Sequence, residues 1–128
     1  MTKALDEWHA VAASRDVTRL AMLIDEHAVF ESPVVHRPQV GRDLVVRYLA
    51  GAMAVLGGPA FRYVEQWNSS DGAALEFETE VDGIAINGVD MIRFTPDDER
   101  IASFKVMIRP LKAIELVHRM MGETLARS

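Results

Sequence analysis

The chain contains no cysteine, which excludes disulfides and thiolate metal sites and fits a reducing compartment. It also has no apolar run long enough to span a bilayer, and residues 1–8 lack the apolar stretch of a signal peptide. A cytoplasmic protein with no membrane partner is therefore expected. Basic residues are few and scattered. Fourteen Lys and Arg stand against 19 Asp and Glu, and the net charge of −5 argues against a nucleic-acid partner, whose phosphates reward clustered cations. No glycine-rich phosphate loop is present, and no serine sits in a Gly-x-Ser-x-Gly turn. No two of the four histidines have metal-ligand spacing on one element, so neither a metal nor another cofactor is expected.

What is present suits one domain over residues 1–128, long enough to bury a core. Leu5, Trp8, Val11 and Ala12 recur at helical spacing. Asp16 is placed to cap a second helix carrying Leu20, Leu23 and Ile24 inward. Ala28 to Pro33 reads as a short strand stopped by proline, with Val34 to His36 returning as its hairpin partner. Gly41-Arg42-Asp43 opens a third helix bearing Leu44/Val45, Tyr48/Leu49, Ala52/Met53 and Leu56, ended by Gly57-Gly58-Pro59.

From Phe61 the period changes from helical to alternating. Strands are predicted over 61–67, around 75–81, from Asn87 to Phe94 after an Asp82-Gly83 turn, and over 101–109. Pro110 then opens a last helix with Leu111, Ile114, Val117 and Met121 on one side and Met120 beside them. Helices first, an antiparallel meander, then a closing helix make an α+β arrangement with helices on one face of a curved sheet.

One residue breaks the pattern. Side chains two apart on a strand share a face, so Asp90 lies in line with Ile86, Ile92 and Phe94. A carboxylate on an apolar face is paired, protonated or exposed, because burying an unpaired charge is costly. Arg93, three residues on, falls on the opposite face.

In this order and spacing, Ala28 to Pro33, then Gly41-Arg42-Asp43, then Asp90-Met91-Ile92-Arg93-Phe94 resemble the NTF2-like superfamily, on the side of SnoaL-like cyclases and ketosteroid isomerases. The resemblance covers nearly the whole chain. It implies a cone of three helices and a bent, mostly antiparallel sheet around a deep apolar pocket, commonly in dimers. In the isomerases an aspartate precedes the proline of the Ala-x-x-x-Asp-Pro stretch; here that position is Ser32, and a hydroxyl cannot replace the carboxylate base. The oxyanion tyrosine of the first helix falls at Trp8, and the protonated aspartate that assists it falls on Asp90. An epoxide-hydrolase Asp-Arg-Asp arrangement is not supported, since Gly88 and Ile92 are the same-face neighbours of Asp90.

The expected pocket is lined by Trp8, Phe30, Ser32, Tyr48, Leu75, Phe77, Asp90, Phe104, Val106 and Ile108. Asp90 is the main polar group, bonded to Trp8, Tyr48 or backbone, and a purely structural role in ordering the pocket competes with a functional one. His36 sits near the mouth on the short hairpin, where it is either a surface residue or a general base. Three functions follow: binding of a small, largely apolar molecule; SnoaL-type acid–base chemistry by Asp90 with His36; or a dimeric scaffold without ligand. The stripe Glu76, Glu78 and Glu80 marks an outer sheet face, solvated or forming a homodimer with Arg93, Lys105 or Arg109 opposite.

Overall fold

The switch in hydrophobic period at Phe61 is a structural boundary. In the computed structural model, which describes residues 3–127, everything before it is mainly helical and the meander follows. The elements run α1 (Lys3–Ser14), α2 (Val17–Leu23), β1 (Ile24–Glu31), β2 (Gln39–Val40), α3 (Arg42–Leu56), β3 (Arg62–Asn68), β4 (Gly72–Val81), β5 (Ile84–Phe94), β6 (Ile101–Arg109) and α4 (Leu111–Arg127). The strands form one sheet in the order β2-β1-β6-β5-β4-β3. The β1–β6 pairing is parallel and the others are antiparallel.

Local chemistry sets the boundaries. The Asp16 carboxylate accepts from the Arg19 N–H at 3.2 Å and caps α2. Asp82 and Gly83 both take positive φ, 51° and 76°, the backbone that a two-residue β4–β5 hairpin demands. Gly57 closes α3, its N–H bonded to the Met53 carbonyl at 2.9 Å.

Three expectations need correction. Ile24 leaves the helix and starts β1, opposite Ile101 of β6, because sheet pairing outweighs its place in the helical pattern. The partner of β1 is Gln39–Val40, with Val29 opposite Val40 and Phe30 opposite Gln39; the stretch 34–36 is not a strand. Proline lacks an N–H for the ladder, and Pro33 and Pro38 bracket that stretch. In α4, which starts at Leu111 just after Pro110, the buried stripe is Ala113, Leu116, Val117 and Met121, while Leu111 is exposed.

The core lies between the helices and one face of the sheet, where Phe30, Leu75, Phe77, Ile92 and Phe104 are buried beside Leu5, Trp8, Val45 and Leu49. On β5, Gly88 stands opposite Phe77. A side-chain carbon there would come within 2.4 Å of the Phe77 ring, so the missing side chain is what lets that ring lie across β5. The opposite face carries Glu76 and Glu78 with Met91, Arg93, Lys105 and Met107. Its charges pair within the chain: Arg62 with Glu78, Arg93 with Asp71 and Lys105 with Glu31.

Candidate functional site

Register places Asp90 in the middle of the inner face, between Leu75 of β4 and Val106 of β6. The residue is 6% exposed. Of the three possibilities open to it, exposure is excluded. Its Oδ2 accepts from the Tyr63 hydroxyl at 2.5 Å, and the Tyr63 oxygen accepts in turn from the Trp8 indole N–H at 3.1 Å. Three residues from α1, β3 and β5 thus form one relay, Trp8 to Tyr63 to Asp90. Oδ1 has no partner among the described residues, and Asp90 lines a cavity.

That environment sets the protonation chemistry. Burial disfavours the charged carboxylate and pushes Asp90 up from 3.8 to about 7, although the Tyr63 hydroxyl bond acts against this. Tyr63 is pushed well above the ordinary tyrosine value of 10.0, by burial first and then by the neighbouring Asp90. Near neutrality the pair therefore holds a tyrosine that keeps its proton and an acid that exchanges its own. A carboxyl group so poised can donate to a ligand oxygen or take up a proton at working pH.

The cavity measures about 60 Å³, room for a few water molecules. Its walls are apolar except at Asp90, Tyr63 and Arg15. Trp8 meets Phe104 edge-on at 4.9 Å between ring centres, while Phe61 stacks on Phe77 at 5.2 Å and meets Tyr63 edge-on at 5.1 Å. These contacts fix the rings that carry the relay.

Among the expected lining residues, the structure brings Trp8, Phe77, Asp90, Phe104 and Val106 to the cavity. Phe30, Ser32, Tyr48, Leu75 and Ile108 lie outside its wall. Phe30, Leu75 and Ile108 are buried packing instead, and Tyr48 faces Phe30 at 6.2 Å rather than Asp90. The Ser32 hydroxyl accepts from the Val34 N–H at 3.1 Å, a local turn bond. His36 is exposed between β1 and β2, away from the cavity wall.

The Trp8 N–H points at Tyr63, not directly at Asp90. Tyr63 is the residue that pattern reading missed. It shares parity with Phe61 and lies opposite Phe77, a signal that pairing β3 onto β4 would have exposed. Among the described residues no group of His, Asp and Glu could hold a metal, and no helix is long and apolar enough to cross a membrane.

Comparison with known proteins places this geometry. Residues 5–104 match the SnoaL-like domain. No curated protein matches the sequence. Among solved structures, a steroid delta-isomerase from Pseudomonas aeruginosa is 37% identical with a TM-score of 0.89, over 97% of this chain and 90% of that one. An uncharacterised bacterial protein with a cystatin-like fold from Silicibacter pomeroyi DSS-3 is 27% identical with a TM-score of 0.88, over 96% of this chain and 85% of that one. A SnoaL-like polyketide cyclase, so described, from Shewanella denitrificans OS-217 shares the fold at 14% identity and a TM-score of 0.65, over 98% of this chain and 96% of that one. With its mixed, mostly antiparallel sheet under N-terminal helices and its closing helix, this chain belongs to the SnoaL-like family of the NTF2-like superfamily.

Proposed function

We propose that the protein binds a small, largely apolar molecule that presents a carbonyl or hydroxyl oxygen to Asp90. The observation that carries this reading is the relay itself: a buried acid held by Tyr63 and Trp8, with Oδ1 unpartnered among the described residues, in a cavity whose walls are otherwise apolar except at Arg15. Site polarity of this kind orients a ligand, and the apolar walls supply its affinity.

A second reading is SnoaL-type acid–base chemistry on the same ligand. The proton-exchanging state of Asp90 and the 37% identity to a protein described as a steroid delta-isomerase favour it. Two features speak against an isomerase mechanism in this chain. Ser32 occupies the position of the base, and the exposed His36 is not placed to assist.

Two substitutions separate binding from turnover. Asparagine at position 90 keeps an acceptor for Tyr63 and a donor for the ligand but exchanges no proton; leucine keeps neither. Titration of cyclic ketones and lactones should show affinity held within a few-fold in Asp90→Asn and lowered at least tenfold in Asp90→Leu, on the scale of one lost buried hydrogen bond. Turnover present in the parent and absent from Asp90→Asn would establish the enzymatic reading. Unchanged affinity in Asp90→Leu would sink both.

We further propose that two copies pair through the outer sheet face, where Trp67, Met91 and Met107 stand 56%, 40% and 48% exposed. Exposed apolar side chains grouped on one sheet face and rimmed by charged residues mark an interaction surface. Sedimentation should report a dimer that Met91→Glu converts to a monomer. A parent that sediments as a monomer at all concentrations rules the pairing out.

A further inference from the structure

The cavity has a second polar element that the relay does not use. Arg15 lines it from the corner between α1 and α2, together with Ala12, Met53, Leu56 and Gly57. A more open hollow of about 330 Å³ adjoins it, sharing Ala12, Arg15, Gly57, Phe61 and Tyr63 and adding His9 and Arg62. Arg15 therefore stands where the apolar cavity meets the hollow that leads to solvent.

The other two basic side chains there have partners. Arg62 pairs with Glu78 at 2.7 Å, and His9 bonds to Gln66 at 2.9 Å. Arg15 makes no ion pair among the described residues, in a chain whose acids outnumber its bases. Its backbone is also unusual. With φ at 57° and its N–H bonded to the Val11 carbonyl at 2.7 Å, Arg15 sits in the left-handed position that ends a helix, where glycine fits without steric cost. Arginine in this conformation is strained, and nothing in the backbone requires an arginine there. What the residue contributes is its side chain, whose Cδ lies 3.5 Å from where a side-chain carbon on Gly57 would stand. The arginine stem thus packs beside Gly57 at ordinary contact range, while the Met53 carbonyl is what a side chain on Gly57 would strike.

We propose that the ligand carries a carboxylate at the end opposite its carbonyl or hydroxyl oxygen, and that Arg15 binds it. Asp90 would fix the inner end and the guanidinium, a planar fork matched to a carboxylate, would fix the outer end. This inference rests on the binding function proposed above and adds the ligand's charge and orientation.

The test uses an oxocyclohexyl propanoate and its matching amide, with longer and shorter spacers, titrated below pH 7 at low salt. The parent protein should bind the best acid about tenfold more tightly than its amide, and the preference should shrink as salt is added. Arg15→Met keeps the stem and should erase the preference, acid and amide then binding alike. Arg15→Gly relieves the left-handed strain, so it should fold at least as stably as the parent and still lose the preference. Lysine at this position should restore part of it. Equal affinity for acid and amide in the parent, or a preference that survives Arg15→Gly, overturns the role of Arg15. If the amide binds in a manner lost in Asp90→Leu while the acid shows no advantage, the binding function stands and only this inference falls. If neither compound binds, both fall.

Discussion

Asp90→Asn is expected to be more stable than the parent at pH 8, by up to about 4 kcal/mol, and equal to it near pH 4. The direction follows from linkage. In the unfolded chain the carboxyl loses its proton around 3.8; in the folded chain it holds that proton to about 7. Between those values the folded state carries one proton more than the unfolded state. Stability contributed by Asp90 is therefore complete below 3.8, falls as pH rises, and is lost by about 7. Above that, the parent keeps a buried carboxylate whose only bond among the described residues is to Tyr63, and the asparagine variant does not. Urea denaturation of both proteins from about pH 4 to 8 reads the difference directly, because every other titrating group cancels. A gap that stays constant with pH would mean that burial does not raise Asp90, and the chemistry proposed for it would lose its basis.

Phe104→Ala should lower stability by about 3–5 kcal/mol, the range for truncating a large aromatic in a core that cannot collapse around the gap. Phe104 is 2% exposed and touches two rings, Trp8 at 4.9 Å and Phe30 at 6.0 Å between centres. It also forms part of the cavity wall, so the truncation enlarges the space beside Asp90. The variant should shift ligand preference toward bulkier rings, and Trp8 fluorescence should move as its edge contact disappears. Denaturant titration gives the stability change. A loss below about 1 kcal/mol would show that the neighbouring rings relax into the space, contrary to a tightly fitted wall.

Much of this was legible in the chain. The alternation of Ile86, Gly88, Asp90, Ile92 and Phe94 is strict, and the structure buries every one of these residues on the inner face. Trp8, Phe77, Phe104 and Val106 were legible for the same reason: each sits on an uninterrupted period of one element.

Tyr63 was not. The β3–β4 register shifts between Tyr63 and Glu65, so Trp67, which has the same parity as Tyr63, ends up on the surface. A bulge breaks the period that pattern reading depends on, and only cross-strand pairing reveals which side of the break faces inward. His36 failed for a different reason. Its position rested on a hairpin that the flanking prolines prevent. Arg15 carries no periodic signal at all, since a charged residue between two helices reads as an ordinary turn.

The parallel pairing of β1 with β6 bears on the order of assembly. β3 to β6 are consecutive and joined by short turns, so their hairpins close with little loop entropy. β1 must find β6 across most of the chain. The meander is therefore expected to form early, bringing Tyr63 and Asp90 onto one surface. Trp8 comes from the other side of that slow step, with the helices that cover the cavity. On this order the acid is wet while the sheet forms and is enclosed only as the N-terminal half docks, so between about 3.8 and 7 it takes up its proton in the last stage of folding.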